Sequence, residues 1–440
     1  MRKRILENRI QIIMIITTLV MIFLRFLLNE KGRVNPDSVR FMRTAHLFPE
    51  IDNTTTPMGY PLGIRFFTYF GLDEFWASKL LGVLAFGFII WFAWKKQFYL
   101  REIIMTCALF SLVSLFGYTM SEAMMLPFVF VFLFVGRQVI VGQLEGWKAF
   151  FWLSFMLILL FNIRYPGLFF MGTAMLFGLI NRRKRYGPAF IYSGIAGFVF
   201  VVIYKLTFIN YFNEKYVDSF LEIGLHPTSR LLVELYQGLA TTFNPFIHIA
   251  NPGGGVINFM IYGIGTINIA LLTVLVIKAG ISETEKFLMA CGVMGIACSF
   301  FIQYFYGITP LDYRLLAPFA LPLWMLYFRK LYRASGTLTY AVPILSLFTG
   351  AVFILLSRAD YLENRKIITE YLEAENRLDT NINFYINDEM DSRESQIAEL
   401  ISTVNPKVRF TKNPLDTLKK ETLTPHRALT KIKIHENNFQ

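Results

Sequence analysis

Four separate places in the chain set ionisable or phenolic side chains beside long apolar runs. Asp37 lies in Asn35-Pro36-Asp37-Ser38-Val39-Arg40, just past the first run, and Pro57-Met58-Gly59-Tyr60-Pro61-Leu62 follows in the same loop. Glu122 ends the short turn Tyr118-Thr119-Met120-Ser121-Glu122, Arg164 and Tyr165 fill another, and Asp312, Tyr313 and Arg314 precede a later run. Carboxylates take and give protons, guanidinium groups pair with anions, and phenols donate hydrogen bonds. Charges in or beside a bilayer are costly, so their collection at one depth on one face points to chemistry at the membrane surface. A transporter would set such groups near the midplane, and a channel would carry a polar stripe along a span. Neither pattern is visible.

Each of these residues also has a plainer reading. Asp37, following a proline, fits a helix cap for 38–48, and Glu122 with Ser121 fits a cap for the run that follows. Arg164 and Arg314 fit interfacial anchors that snorkel to headgroups. His46, His226 and His248 fall in polar loops, at a spacing that matches no metal motif. Asn53-Thr54-Thr55 has the glycan-acceptor pattern, which matters only in a secretory host.

The elements that must position the site are membrane spans. Of 440 residues, 55% are hydrophobic and only 17% charged, against about 25% charged in a soluble protein. Mean hydropathy is +0.47. Apolar runs at roughly 9–28, 78–94, 103–119, 122–137, 148–163, 166–181, 187–208, 256–277, 287–305, 315–328 and 337–357 are long enough to cross a hydrocarbon core of about 30 Å. The expected fold is therefore an all-α polytopic membrane protein with about eleven transmembrane helices. The net charge of +12 sits largely in short loops, where it sets topology rather than nucleic-acid binding. One alternating set of connections carries Arg2, Lys3 and Arg4; Lys95, Lys96 and Arg101; Arg137 and Lys148; Arg182, Arg183, Lys184 and Arg185; Lys278 and Lys286; and Arg329, Lys330 and Arg333. The opposite set carries almost none. The N-terminus is expected in the cytoplasm, as a retained first span and not a cleaved signal. The loops 29–77 and 209–255 and the tail after 358 are expected outside. Cys107, Cys291 and Cys298 fall within apolar runs and imply no disulfide framework.

The outer loops carry structure of their own. Phe41, Ala45 and Phe48 share a helical face, and Ile64 to Phe70 is aromatic and ends at Gly71. Both segments read as helices lying in the interface plane. Ser229 to Leu239 reads as an amphipathic helix, followed by the turn-forming Asn251-Pro252-Gly253-Gly254-Gly255. Beyond 357 the charge rises. Tyr361 to Asp379 reads as a polar helix, while 383–386 and 408–410 read as short strands bracketing a helix at 393–404. The division is thus a membrane module over 1–357 and a small outward-facing α/β unit over 358–440, its last two dozen residues loosely ordered.

Asn35-Pro36-Asp37-Ser38 after the first span, an interfacial helix, and then Pro57-Met58-Gly59-Tyr60-Pro61-Leu62 resemble the GT-C glycosyltransferases. These are polytopic enzymes that use polyprenyl-phosphate sugars, among them the dolichyl-phosphate-mannose mannosyltransferases and the bacterial aminoarabinose and arabinosyl transferases. The resemblance covers the topology of 1–357. It implies that Asp37 is the catalytic base, that Glu122 is a second acidic site residue, and that Asp312-Tyr313-Arg314 contacts a lipid phosphate. A single acidic residue stands in the first-loop motif where many members carry a pair, which leaves metal dependence open.

On that reading Asp37 takes the proton of an acceptor hydroxyl as it attacks the anomeric carbon, inverting the configuration. Arg164, Arg314 and Tyr313 are expected on the donor phosphate, and Arg40, Tyr60 and Tyr165 along the substrate groove. A divalent cation, Mg or Mn, held by Asp37 and Glu122, is the alternative way to stabilise the leaving group. The expected partners are a polyprenyl-phosphate-linked sugar, a glycan, lipid or protein acceptor, and membrane lipids, with no nucleic acid; the expected location is a bacterial plasma membrane. A polymerase or ligase of lipid-linked oligosaccharides, a lipid or glycan transporter and a non-catalytic assembly subunit are the competing readings.

Overall fold

The computed structural model describes residues 2–51, 56–212, 228–249, 255–306, 311–385, 400–411, 413–419 and 422–424. Among the described residues the chain is helical, with three short strands near its end. The helices are α1 (Arg2–Leu27), α2 (Pro36–Leu47), α3 (Gly59–Thr68), α4 (Glu74–Lys96), α5 (Leu100–Cys107), α6 (Phe110–Gly117), α7 (Ser121–Ile140), α8 (Gly146–Ile163), α9 (Gly167–Ile180) and α10 (Gly187–Tyr204). They continue with α11 (Thr228–Thr242), α12 (Val256–Ala279), α13 (Glu283–Tyr306), α14 (Tyr313–Ser335), α15 (Ala341–Leu356) and α16 (Tyr361–Ala374). Eight helices among the described residues are long and apolar enough to cross a membrane, or nine if one bent pair is a single span. The molecule is an integral membrane protein. Large apolar side chains such as Ile13, Trp94, Ile180 and Phe259 lie on its outside, as a lipid-facing surface requires.

Three elements depart from the apolar pattern. The run at 103–119 is not one rod but α5 and α6, bent by 73°. The break leaves the first N–H of α6 without a helical partner, and the Ser346 hydroxyl of α15 accepts it at 2.9 Å from Phe110 N. Irregular backbone at this depth persists because it is enclosed by protein, and all eight residues of α6 are buried. The second departure is α9, whose 14 residues span about 21 Å, short of a full crossing. The third is α2. Expected to lie on the interface, it is instead enclosed: Phe41 and Ala45 pack with Tyr60, Ile64, Ala77 and Met120, while Val39 and Met42 face the C-terminal unit. By contrast α3 keeps an exposed aromatic edge at Phe66, Tyr69 and Phe70, as an interfacial helix would.

The C-terminal unit pairs β1 (Ile382–Tyr385) in parallel with β2 (Val408–Thr411) on one side and β3 (Thr422–Leu423) on the other. The first two coincide with the expected strands; the segment 386–399 and the residues beyond 424 lie outside the description. Its core is not separate. Ile382, Phe384, Leu400, Val408 and Tyr361 share one cluster with Val34, Val39, Met42 and Phe75. Arg365 pairs with Asp73 at 2.9 Å, and Arg43 donates to the Val408 carbonyl. This sheet therefore braces the first loop from above.

The other end of that loop is fixed by close backbone packing. A Cβ on Gly82 of α4 would stand 2.1 Å from the Phe116 carbonyl oxygen, so only glycine allows α4 to press against α6. The contact holds residues 117–121 beside 31–35, where Thr119 N donates to the Arg33 carbonyl at 3.2 Å.

Candidate functional site

Asp37 is not a cap. Asn35 caps α2, accepting from Ser38 N at 2.9 Å while the Ser38 hydroxyl accepts from Asn35 N at 3.0 Å. This closed capping box leaves the Asp37 carboxylate, one position into the first turn, free to point at other elements. Its side chain is 42% exposed and lies 3.6 Å from Arg40 and 3.7 Å from Arg314. Neither contact closes to hydrogen-bonding distance, so both oxygens keep room to accept a proton.

Nor does Glu122 cap α7, which has no side-chain cap. Its carboxylate is fully buried, 2.5 Å from Arg164 Nη1 and 3.5 Å from Arg314 Nε. Arg164 stands at the C-terminal end of α8, and its Nη1 also reaches the Ser121 hydroxyl at 3.4 Å. Arg314 opens α14 behind its cap, Asp312, whose carboxylate accepts from Leu315 N at 2.9 Å and approaches Arg314 at 3.7 Å. Desolvation by the surrounding protein pushes the Asp312 carboxyl up, although Arg314 and the Leu315 N–H draw it down. One site thus joins the first loop, the 118–122 turn, the α8–α9 turn and the start of α14, the four connections singled out by sequence. Three carboxylates (Asp37, Glu122, Asp312) face three guanidinium groups (Arg40, Arg164, Arg314), so the charges balance.

That balance changes the roles open to individual residues. Arg164 and Arg314, expected on a phosphate, already carry carboxylate partners. Tyr60, expected in a groove, is 1% exposed and sits edge-on to Phe41 in the core at 5.0 Å between centroids; burial pushes its phenol above the usual range. Tyr165 packs against Phe161 at 5.2 Å, and Phe161 in turn meets Tyr204 at 5.7 Å, so Tyr165 joins the aromatic wall between α8 and α10. Arg40 is the most open of the six charged residues, with 53% of its side chain exposed. Tyr313 packs against His248, with ring centroids 4.1 Å apart and the planes inclined by 55°. Among the described residues, no three His, Cys, Asp or Glu side chains gather as a metal cluster would require. His46 pairs with Glu74 at 2.9 Å, while His226 and the Asn53-Thr54-Thr55 acceptor pattern fall outside the described residues.

Sequence reasoning missed a second group beside the first. Arg25, Lys31, Arg33, Lys79 and His248 are all at least 95% buried. Lys79 Nζ donates to the Arg33 and Gly117 carbonyls at 3.0 Å each, Lys31 Nζ donates to Ile354, and Arg33 Nε reaches the Arg25 carbonyl at 3.3 Å. Arg25 and Lys79 fall inside the apolar runs 9–28 and 78–94; a charge within a predicted span was the signal to look for. Burial, and then the charges of Arg25 and Arg33, hold the His248 imidazole well below its usual range, so it is neutral.

Compared with known proteins, the sequence matches no family model and no curated relative.

Proposed function

We propose that this protein is a membrane glycosyltransferase of the GT-C type. It moves a sugar from a polyprenyl-phosphate donor to a glycan, lipid or protein acceptor on the outer face of the membrane, with inversion. The observation that carries the reading is the state of Asp37. It is a half-exposed carboxylate held between two guanidinium groups, with acceptor capacity to spare, at the end of an apolar bundle. An acceptor hydroxyl placed against it can lose its proton as the bond to the anomeric carbon forms, a contribution of about 10²- to 10⁴-fold to rate. Buried Glu122 serves a positioning role: through Arg314 it fixes the guanidinium that orients Asp37.

Eleven crossings are part of this reading. Counting the bent pair and α9 as crossings, and α14 and α15 as two, gives that number. The distribution of Lys and Arg then orients the chain with its N-terminus in the cytoplasm and Asp37 and the C-terminal unit outside. A bacterial plasma membrane suits the cysteine usage, since all three cysteines are free.

The test is transfer in liposomes from a panel of radiolabelled polyprenyl-phosphate sugars, wild type beside Asp37→Asn, with acceptors supplied. Transfer by the wild type and its loss in a folded Asp37→Asn supports class and base together. Full transfer by Asp37→Asn excludes Asp37 as the base, and no transfer from any donor rejects the class.

A further inference from the structure

The cations beside the site lack the counter-charges that the site itself has. Among the described side chains, no carboxylate lies within ion-pair distance of Arg25, Lys31, Arg33 or Lys79, whereas every guanidinium of the neighbouring cluster has one. Lysines can shed a buried charge by losing a proton. Arginines cannot, so Arg25 and Arg33 keep theirs where desolvation penalises an unpaired charge.

Their polar atoms are also unfilled. Arg25 Nε and both ring nitrogens of His248 are buried without a hydrogen-bond partner. Arg25 and His248 approach the same Phe110 ring, at 5.0 Å and 4.8 Å, and Arg33 Nε reaches the Arg25 carbonyl at 3.3 Å, so the three cationic or imidazole groups are close neighbours. Arg33 is held in the left-handed backbone region at φ 56°, a conformation that is strained in a non-glycine residue and persists where surroundings impose it. Buried donors without acceptors, unmatched positive charge and a strained backbone all call for an oxyanion.

We propose that Arg25, Arg33 and His248 form a receptor for one phosphate group. Two guanidinium groups give paired, charge-assisted donors to phosphate oxygens, and neutral His248 supplies one N–H. Tyr313 connects the receptor to the site, since its ring packs against His248 and its chain neighbour Arg314 contacts Asp37. The proposal rests on the glycosyltransferase reading only for the carrier of the phosphate, which there is the lipid donor. Arg164 and Arg314 are then left to hold the carboxylates.

Binding of dodecyl phosphate and of inorganic phosphate to the purified full chain in neutral detergent, measured by calorimetry, tests this. Saturable binding of dodecyl phosphate is expected, weakened about 10- to 100-fold in Arg25→Gln and Arg33→Gln. His248→Phe keeps the ring packing and removes the nitrogens; it is expected to weaken binding about fivefold, and it stands in should the arginine variants fail to fold. Dodecyl phosphate binding tighter than inorganic phosphate identifies a lipid headgroup as the source, and equal binding identifies the free anion. Folded variants that bind as the wild type does, or a wild type that binds neither probe, overturn the receptor. Phosphate binding lost in the variants without sugar transfer by the wild type leaves the receptor standing and removes the enzyme reading. Transfer with variant binding unchanged does the reverse.

Discussion

Helix α14 carries a buried glutamate hub at each end. At its start Arg314 meets Glu122, which is also paired with Arg164. At its far end Arg329, Lys330 and Arg333 surround Glu285, which is 2% exposed, at 3.1, 3.0 and 3.8 Å. Both hubs set a carboxylate among cations in a low-dielectric interior. The difference is what stands next to them. The Glu285 hub is closed, its carboxylate further tied to Ser282 N at 2.8 Å. The Glu122 hub opens through Arg314 onto Asp37, a carboxylate with solvent access and unfilled acceptors. A buried hub alone is architecture; a hub that restrains an exposed, under-bonded carboxylate has the form of a site.

Asp37→Asn is the sharpest cut between the two. It removes a half-exposed charge that neither neighbour engages closely, so thermal stability is expected to hold while sugar transfer falls about 10²- to 10⁴-fold; a parallel loss of melting temperature would reassign Asp37 to structure. Glu122→Gln leaves Arg164 buried without its partner. A destabilisation of about 3–5 kcal/mol is expected, read by thermal unfolding in detergent, together with reduced transfer per folded molecule. Glu285→Gln is expected to destabilise by a similar amount but to leave transfer per folded molecule unchanged. Should the two glutamate variants behave alike in the transfer assay, the distinction between hub and site collapses.

The smallest effect concerns pH. Burial, then Arg33 and Arg25, hold the Lys31 amine down to about 7, against about 10.4 for a free lysine. Between those values the unfolded chain binds a proton that the native chain does not, so stability rises with pH from about 7 toward 10. Below pH 7 both states are protonated and the dependence ends. Lys31→Met is expected to flatten melting temperature against pH over that window. Parallel profiles for variant and wild type would show that Lys31 keeps an ordinary affinity for protons.

Much of this was legible in the chain, for physical reasons that also mark where legibility stopped. Apolar runs identify membrane helices because length and composition alone decide whether a segment tolerates lipid. The shared depth of Asp37, Glu122, Arg164 and Arg314 was legible because charge near lipid is rare. Which of them pair was not, since Glu122 and Arg164 belong to different connections and meet only through tertiary packing. The break between α5 and α6 depends on a hydroxyl 236 positions away, beyond any local pattern. The enclosure of α2 escaped for the same reason. Its Phe41–Ala45 face reads equally as lipid-facing or core, and the surface that covers its other side is built from residues after 360.

That last arrangement bears on the order of events during synthesis. The helix carrying Asp37 emerges from the ribosome more than three hundred residues before the strands that brace it. A nascent chain can thread all its spans and still lack a fixed first loop. Ile382, Val408 and Leu423 pack in one cluster with Val39 and Met42, so the surroundings of Asp37 are complete only after these later-made strands are in place.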